Sequence, residues 1–280
     1  MELYENLFWT ADLGARSPRP VLRRKLPWNV GPVKVSPDAS ELAYSVAAGE
    51  SSEVYISNLD GTESRRLLGA GYRIEQLNWS PDGRQIAMIA QADNAQLEPP
   101  RLFVTSSVEG SWHRLLEQFD CVSRAAWSRD SKALFVAANS GGMDSIWRFG
   151  LGDNSPTLIV RASALGLETS AGGRYLYLRQ SPFNLVRFPI GGGTEDLVAS
   201  GVLQFATGEE EVYFVRQDLK PPSAEGLNLY RLDPAVRVPR LVANLGFLPS
   251  SMQLSRDGQL LYMERREQPQ KRIMVLQDLH

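Results

Sequence analysis

The chain has little of the chemistry on which most metalloenzymes and nucleic-acid binders depend. Its 280 residues include one cysteine, Cys121, and two histidines, His113 and His280. A single cysteine excludes an internal disulfide, and three such side chains are too few for the usual zinc or iron site. Thirty Lys and Arg stand against thirty-two Asp and Glu, so no basic face for neutralising phosphates is expected. We therefore expect no metal, no cofactor and no direct contact with nucleic acid.

Nucleophile motifs and long apolar runs are also missing. No serine lies in a G-x-S-x-G elbow, and Cys121 has no evident histidine partner, so we expect no catalytic residues. No stretch approaches the ~18 apolar residues of a membrane span. The first residues, MELYENLFWTADLG, lack the pattern of a signal peptide, which favours a cytoplasmic location.

One phrase recurs along the chain about every 44 residues. It reads VSPDASELAYS, WSPDGRQIAMI, WSRDSKALFVA, TSAGGRYLYL, ATGEEEVYFV and LSRDGQLLYM. We align the copies on Ser36, Ser80, Ser128, Ser170, Thr207 and Ser255. Six copies at this period indicate a repeat architecture.

Each copy has the composition of four short strands. The S-P-D-G phrase predicts a tight turn, since proline presets φ, aspartate bonds its own backbone and glycine allows positive φ. Strands with alternating apolar residues flank the turn, and two more follow it, with no helical stretch between them. The pattern predicts an all-β, six-bladed β-propeller of four-stranded antiparallel blades. We expect a single domain over 1–280, with closing strands in 1–30 and six blade repeats in 31–280.

The ends of the chain are predicted to close the ring. The last copy ends at Arg272–Leu279 without a fourth strand, which leaves a vacant outer edge. We predict that Pro20–Lys25 completes this blade. Asn6–Leu13 would then be left over as an added edge strand, or as a docking strand for another chain.

The aspartates of the phrase allow two interpretations. Asp38, Asp82, Asp130 and Asp257 recur once per copy and could be taken for a set of metal ligands. Hydrogen bonding within each turn is the interpretation we favour, because the four lie on separate blades. A calcium ion held by carboxylates and carbonyls stays open.

The phrase W-S-P-D-G-[KR]-x-[IL]-A, with a following Gly-Gly turn and an R-x-L strand, resembles the TolB-like propeller repeat. Ala126–Leu279 is most similar to the propeller half of acidobacterial proteins that join a winged helix to such a propeller, in WSRDSKALFVAANSGGMDSIWRF, FPIGGGTEDLV and the closing LSRDGQLLYMERREQPQKRIMVLQDL. The resemblance implies a bacterial protein that binds a protein partner across one face. It also implies a periplasmic or extracytoplasmic location.

Loop lengths indicate where a partner would dock. Two loops between second and third strands, Gln91–Arg101 and Gln217–Leu227, are long and contain Pro-Pro pairs, which lower the entropy cost of binding. We predict a partner-binding surface on this face, formed by Leu97, Pro99, Pro100, Met143, Phe183, Lys220, Pro221 and Pro222.

Three functions remain open on the sequence. The first, which we favour, is a non-enzymatic protein-binding or assembly module that acts as a subunit of a complex. The second is the sensory propeller of a transcriptional regulator that binds a peptide or small ligand at the channel mouth. The third is a hydrolase or lyase with its site in the central channel.

Overall fold

The computed structural model describes residues 5–15, 21–25, 30–93, 98–108, 110–153, 155–217 and 227–267. Within these ranges the chain forms β-strands and no helix. The strands are β1 (Glu5–Asp12), β2 (Val21–Lys25), β3 (Val30–Val35), β4 (Glu41–Ala48), β5 (Ser51–Asn58), β6 (Arg65–Trp79), β7 (Gln85–Ala92), β8 (Arg101–Ser106), β9 (Trp112–Leu115), β10 (Cys121–Trp127), β11 (Ala133–Ser140), β12 (Met143–Gly150), β13 (Thr157–Val160), β14 (Gly166–Thr169), β15 (Tyr175–Gln180), β16 (Asn184–Pro189), β17 (Asp196–Ala199), β18 (Val202–Thr207), β19 (Val212–Gln217), β20 (Leu227–Leu232), β21 (Arg240–Asn244), β22 (Ser251–Leu254) and β23 (Leu260–Glu267).

The strands pair into antiparallel sheets that follow the sequence repeat. Strands β10–β13, β14–β17 and β18–β21 each make a four-stranded sheet in chain order. Strands β3–β9 form one seven-stranded sheet, because β6 pairs with β5 at its start and with β7 at its end. The predicted all-β fold with four-stranded antiparallel sheets is confirmed.

Strand β6 differs from the expected two separate strands. The fourth strand of one copy and the first strand of the next run on without a break. Gly71 lies at the junction with a φ of +132°, a conformation that a residue with a Cβ rarely adopts. This glycine lies in a break of the register between Leu68, which pairs with Val54, and Tyr72, which pairs with both Ser52 and Ala92.

The remaining sheet joins the two ends of the described chain in the order β2-β1-β23-β22. Strand β2 lies at the outer edge, as predicted for Pro20–Lys25, of which Val21–Lys25 is strand. The prediction that Asn6–Leu13 is left over is wrong. Strand β1 pairs with β23 from Glu5↔Glu267 to Asp12↔Leu260. It is therefore the third strand of this sheet, counted outward from β22. Arg272–Leu279, which we expected there, lies outside the described residues.

The burial of β1 on both of its faces explains why it takes that position. Leu7, Phe8 and Ala11 are buried, and the Phe8 ring stacks on Tyr262 of the adjacent strand at 5.9 Å between ring centroids. Ala11 packs into the cluster between this sheet and β18–β21. An internal position buries these residues, whereas an added edge strand would leave part of them in water.

The first strands of successive copies contact one another around an axis. A side chain on one strand donates a hydrogen bond to the backbone carbonyl of its neighbour at every step. The bonds are Trp79 Nε1 to Lys34, Gln76 Nε2 to Ala125, Thr169 Oγ1 to Trp127, Thr207 Oγ1 to Thr169, Gln204 Nε2 to Ser250 and Gln253 Nε2 to Val35. The last bond connects β22 with β3, so the contacts return to the strand where they began.

The repeated turns carry the hydrogen bonds expected of them. In each of four turns a serine hydroxyl donates to the aspartate two residues later, at distances from 2.5 to 2.6 Å. The same serine accepts the backbone N–H five residues later, for example from Gln85 to Ser80 at 2.9 Å. These bonds lower the pKa values of Asp38, Asp130 and Asp257, with the serine hydroxyl as the largest cause. The turn-bonding interpretation of these aspartates is confirmed.

The alignment of the fifth copy needs a correction of one residue. The backbone bond that opens each turn runs from Ser80 N to Gln85 O in the second copy, and in the fifth from Gly208 N to Glu211 O, 2.8 Å in both cases. Gly208, not Thr207, therefore matches the turn serines. The fifth turn is two residues shorter than the second. The sequence does not indicate this, because the serine that marks the start of the other turns is absent.

Candidate functional site

The sheets leave two rims around the axis. We call the turn rim the side that carries the connections between first and second strands, at 36–41, 80–85, 128–133, 170–175, 208–211 and 255–260. The loop rim is the opposite side, with the connections between second and third strands and those from one sheet to the next. The sequence analysis predicted the function on the loop rim.

A cavity of about 870 Å³ opens at the turn rim. Its wall includes Lys34, Asn78, Glu168 and Gln253, each two residues before the turn residue of its copy. They come from the first strands β3, β6, β14 and β22, of which β3 and β6 belong to the seven-stranded sheet and the other two to separate sheets. The sequence alone did not lead us to this set. The pattern that could have revealed it is a polar residue two positions before the turn residue, in first strands that are otherwise apolar.

Glu168 is a carboxyl group in the wall of this cavity. It is half-buried in the channel wall, and its Oε2 accepts hydrogen bonds from Thr207 N at 3.0 Å and Thr207 Oγ1 at 3.2 Å. Burial raises the pKa of Glu168, while the positive charge of Lys34 and the Thr207 bonds oppose the shift. Glu168 and Lys34 thus both line the cavity that opens at the turn rim.

Metal or thiol chemistry finds no support in the residues brought together. Within the described ranges no three His, Cys, Asp or Glu side chains group closely enough to hold a metal ion. Cys121, at the start of β10, is half-buried, and burial together with the nearby Glu75 charge raises its thiol pKa. A thiol with a raised pKa is a poor nucleophile at neutral pH.

The predicted partner-binding residues are placed only in part. Met143 and Phe183 lie on the loop rim and expose 53% and 47% of their surface. Pro99 and Pro100 are half-buried there, and the Pro100 carbonyl accepts the Val122 N–H at 3.0 Å. Four others lie outside the described residues, namely Leu97, Lys220, Pro221 and Pro222.

Phe183 is held firmly although its ring is exposed. Its N–H donates to Gln180 O and its carbonyl accepts from Val202 N, both at 2.8 Å. Its φ is +113°, a region that is costly for a residue with a bulky side chain. The surrounding backbone therefore fixes an aromatic ring in water at the loop rim.

Further loop-rim residues escaped the sequence analysis. Leu165 and Leu248 lie in connections between sheets and are exposed. Arg124 and Arg179 contact the Leu165 carbonyl, from Nε at 3.2 Å and from Nη2 at 3.5 Å. No sequence signal distinguishes these arginines, because they belong to strands and meet only through a connection between sheets.

Comparison with known proteins identifies the architecture. No protein-family model matches the chain. A solved structure of a putative TolB from Agrobacterium tumefaciens superposes with a TM-score of 0.72 over 94% of this chain and 99% of that one, at 16% identity. The fold is that of a TolB-like β-propeller.

Other proteins with related folds differ in what accompanies the propeller. A chain of a nidogen–laminin complex matches the TolB-like propeller with a TM-score of 0.61 at 12% identity, over 86% of this chain and 93% of that one. A puromycin-hydrolyzing peptidase of Mycobacterium tuberculosis gives a TM-score of 0.61 at 14% identity, over 82% of this chain. This chain spans only 42% of the peptidase. These identities show a shared fold alone.

None of the residues that the structure describes forms a helix that is long and apolar enough to cross a membrane.

Proposed function

We propose that the chain is a single-domain, six-bladed propeller that binds a protein partner through its loop rim and performs no catalysis. The observation that carries the proposal is the Phe183 ring, exposed on a backbone that two hydrogen bonds hold in place. Rigid aromatic side chains dominate binding energies at protein interfaces, since little entropy is lost when they are buried. Met143, Leu165 and Leu248 supply further exposed apolar surface on the same rim.

The pairing of strands supports the six-bladed architecture. The six first strands contact their neighbours in sequence order, and the Gln253–Val35 bond links the last with the first. The sheet that contains β1 and β23 supports closure by the N-terminal strands. Among the similar folds, one belongs to a nidogen–laminin complex, which by its description is an assembly of two proteins.

Replacement of Phe183 with serine should abolish partner capture without unfolding the protein. The full chain, immobilised and exposed to extract of its source cells, is expected to retain one partner, identified by mass spectrometry. Loss of a central aromatic contact costs about 2 kcal/mol or more, or at least ~30-fold in affinity. Because the Phe183 side chain is half exposed and the backbone conformation stays the same, the melting temperature of Phe183→Ser should be nearly unchanged.

Val236→Ser is the matched control. Val236 is also exposed, but it lies in the connection between β20 and β21, away from the loop rim. It should capture the partner as the unmodified chain does. If Phe183→Ser retained the partner and Val236→Ser lost it, the docking surface would be wrongly assigned.

A second candidate function is detection of a small ligand in the turn-rim cavity. The observation that favours it is the pair of opposite charges, Glu168 and Lys34, in the wall of one 870 Å³ space. Such a space suits a zwitterion, whose ammonium would approach Glu168 and whose carboxylate would approach Lys34. The dipeptide Ala-Ala is a suitable probe. It should raise the melting temperature of the unmodified chain but not that of Glu168→Gln.

Glu168→Gln should also stabilise the protein at neutral pH. Because the folded-state pKa of Glu168 is raised above its unfolded value near 4.5, its favourable contribution is complete below that value and is lost as the pH rises through the folded-state pKa. Glutamine keeps an oxygen for Thr207 and carries no charge. The melting temperature of the variant should exceed that of the unmodified chain by about 3 °C at pH 7.5 and equal it at pH 4. If the variant and the unmodified chain melted at the same temperature at pH 7.5 as well as at pH 4, the raised pKa of Glu168 would be contradicted.

A further inference from the structure

Two arginines meet at the boundary between the β10–β13 sheet and the β14–β17 sheet. Arg124 is on β10 and Arg179 is on β15, and both donate to the carbonyl oxygen of Leu165. Arg124 Nη1 also donates to the Ser123 carbonyl at 2.5 Å. Two positive groups therefore share one neutral acceptor in the connection between the sheets.

No acidic side chain balances this pair within the described residues. Neither arginine takes part in any ion pair there, although other arginines do, such as Arg187 with Asp196 at 2.8 Å. Burial first, and then the positive charge of Arg124, lower the pKa of the Arg179 guanidinium. The Nε of Arg179 is buried and has no acceptor among the described residues. The pair is thus an uncompensated positive centre that is only partly open to water.

The terminal nitrogens have the geometry to receive an anion. Arg124 uses Nε and Nη1 for backbone carbonyls, which leaves its Nη2 without a partner among the described residues. Arg179, on the neighbouring sheet, uses Nη2 for the same Leu165 carbonyl, so its Nη1 is the terminal nitrogen left for a ligand. Guanidinium groups bind planar carboxylates by charge-assisted hydrogen bonds, which are stronger than neutral ones.

Apolar surface flanks the arginine pair. Leu165 exposes 44% of its surface, and its N–H donates to Arg179 O at 2.7 Å, which fixes it beside the pair. Phe183 follows in the turn after β15, where its N–H bonds to Gln180 O. A ligand that fits both features combines a carboxylate with adjacent apolar side chains.

We propose that Arg124 and Arg179 bind the side-chain carboxylate of an acidic residue in the partner protein, while Leu165 and Phe183 contact apolar residues beside it. This inference rests on the proposed loop-rim docking and names the chemistry of the partner segment. We call this site, formed by Arg124 and Arg179 between two sheets, the acid receptor. It would give the protein a local preference for an acidic motif although its net charge is not basic.

The test measures the binding of three peptides to the full chain. Two of them end in an amide and one in a free carboxylate. The first is acetyl-Gly-Leu-Glu-Phe-Gly-amide, the second has Gln in place of Glu, and the third has Gln with a free C-terminal carboxylate. Binding is followed by the ¹H–¹⁵N signals of arginine Nε–H groups in the labelled protein. The Glu peptide should shift the signals of Arg124 and Arg179, and the two Gln peptides should not.

Arg124→Gln and Arg179→Gln should each weaken binding of the Glu peptide about tenfold or more. Arg73→Gln is the matched control, since Arg73 is an exposed arginine of β6 that already bonds Gln91. It should leave the affinity unchanged, and circular dichroism verifies that all three variants fold. Equal binding of the Glu and Gln peptides, or unaltered affinity in both pair variants, would overturn the proposal. Preferential binding of the third peptide would assign the site to a chain end and overturn the side-chain assignment.

The outcome separates this inference from the proposed function. If Phe183→Ser loses the captured partner while the Glu peptide fails to bind the unmodified chain, loop-rim docking stands and the acid receptor is wrong. If the Glu peptide binds through the arginines and Phe183→Ser still captures the partner, the receptor stands and the docking assignment fails.

Discussion

Deletion of residues 1–13 is expected to abolish cooperative folding. The deletion removes β1, which lies between β23 and β2, so β2 loses its hydrogen-bonding partner and β23 loses one of its two. It also removes the buried Leu7, Phe8 and Ala11. Loss of a buried phenylalanine side chain alone costs about 3–5 kcal/mol, against a total stability of about 5–15 kcal/mol.

Thermal unfolding followed by circular dichroism measures this effect. Deletion of residues 1–4 is the control, because it leaves the whole of β1 in place. The shorter deletion should melt with the full chain, and the longer one should show no cooperative transition. A 14–280 fragment that melts with the full chain would refute the internal position of β1.

Gln253→Leu should destabilise the protein by about 2–6 kcal/mol. The Gln253 amide accepts from Val35 N at 2.9 Å and donates to Val35 O at 2.8 Å, so it bridges β22 and β3. Leucine would leave both backbone groups of a buried residue without these bonds, at about 1–3 kcal/mol for each. Urea unfolding with an unchanged m-value provides the measurement.

Gln76→Leu is the matched comparison for this junction. Gln76 makes the same two bonds with Ala125. These bonds join β6 and β10, which are consecutive first strands in the chain and do not depend on closure of the ring. After Gln76→Leu the Ala125 carbonyl still accepts from Asn78 Nδ2 at 2.8 Å. If the contact between β22 and β3 exists in solution, Gln253→Leu should therefore cost at least as much as Gln76→Leu. A cost for Gln76→Leu with none for Gln253→Leu would mean that the ring is open at this junction.

Much of the fold could be predicted because the repeat is locally encoded. The Ser-x-Asp turns depend on bonds between residues two to five positions apart, which the sequence displays directly. The fifth turn was misaligned by one residue because Gly208 replaces the serine and the turn is shorter. It was harder to predict which segment is the third strand of the sheet that contains β23. The sequences of β1 and Arg272–Leu279 have similar alternation, and only the long-range pairing of β1 with β23 distinguishes them.

The candidate sites were less predictable for the same reason. Phe183 and Met143 could be identified as exposed loop residues from their place in the repeat. The relation of Arg124 to Arg179 depends on how the chain between β13 and β14 places one carbonyl oxygen, and no local pattern reports it. Similarly, Lys34 and Glu168 share a cavity only because separate sheets surround one axis.

The interleaving of β1 between β23 and β2 has a consequence for biosynthesis. Strand β1 leaves the ribosome before its main partner, which is made about 250 residues later. At ~5–20 residues per second, this interval lasts roughly 10–50 s. Throughout it, a strand bearing Leu7 and Phe8 lacks the strand that buries it, and is open to pairing with another nascent chain. Crowded polysomes would therefore favour strand exchange between copies through β1.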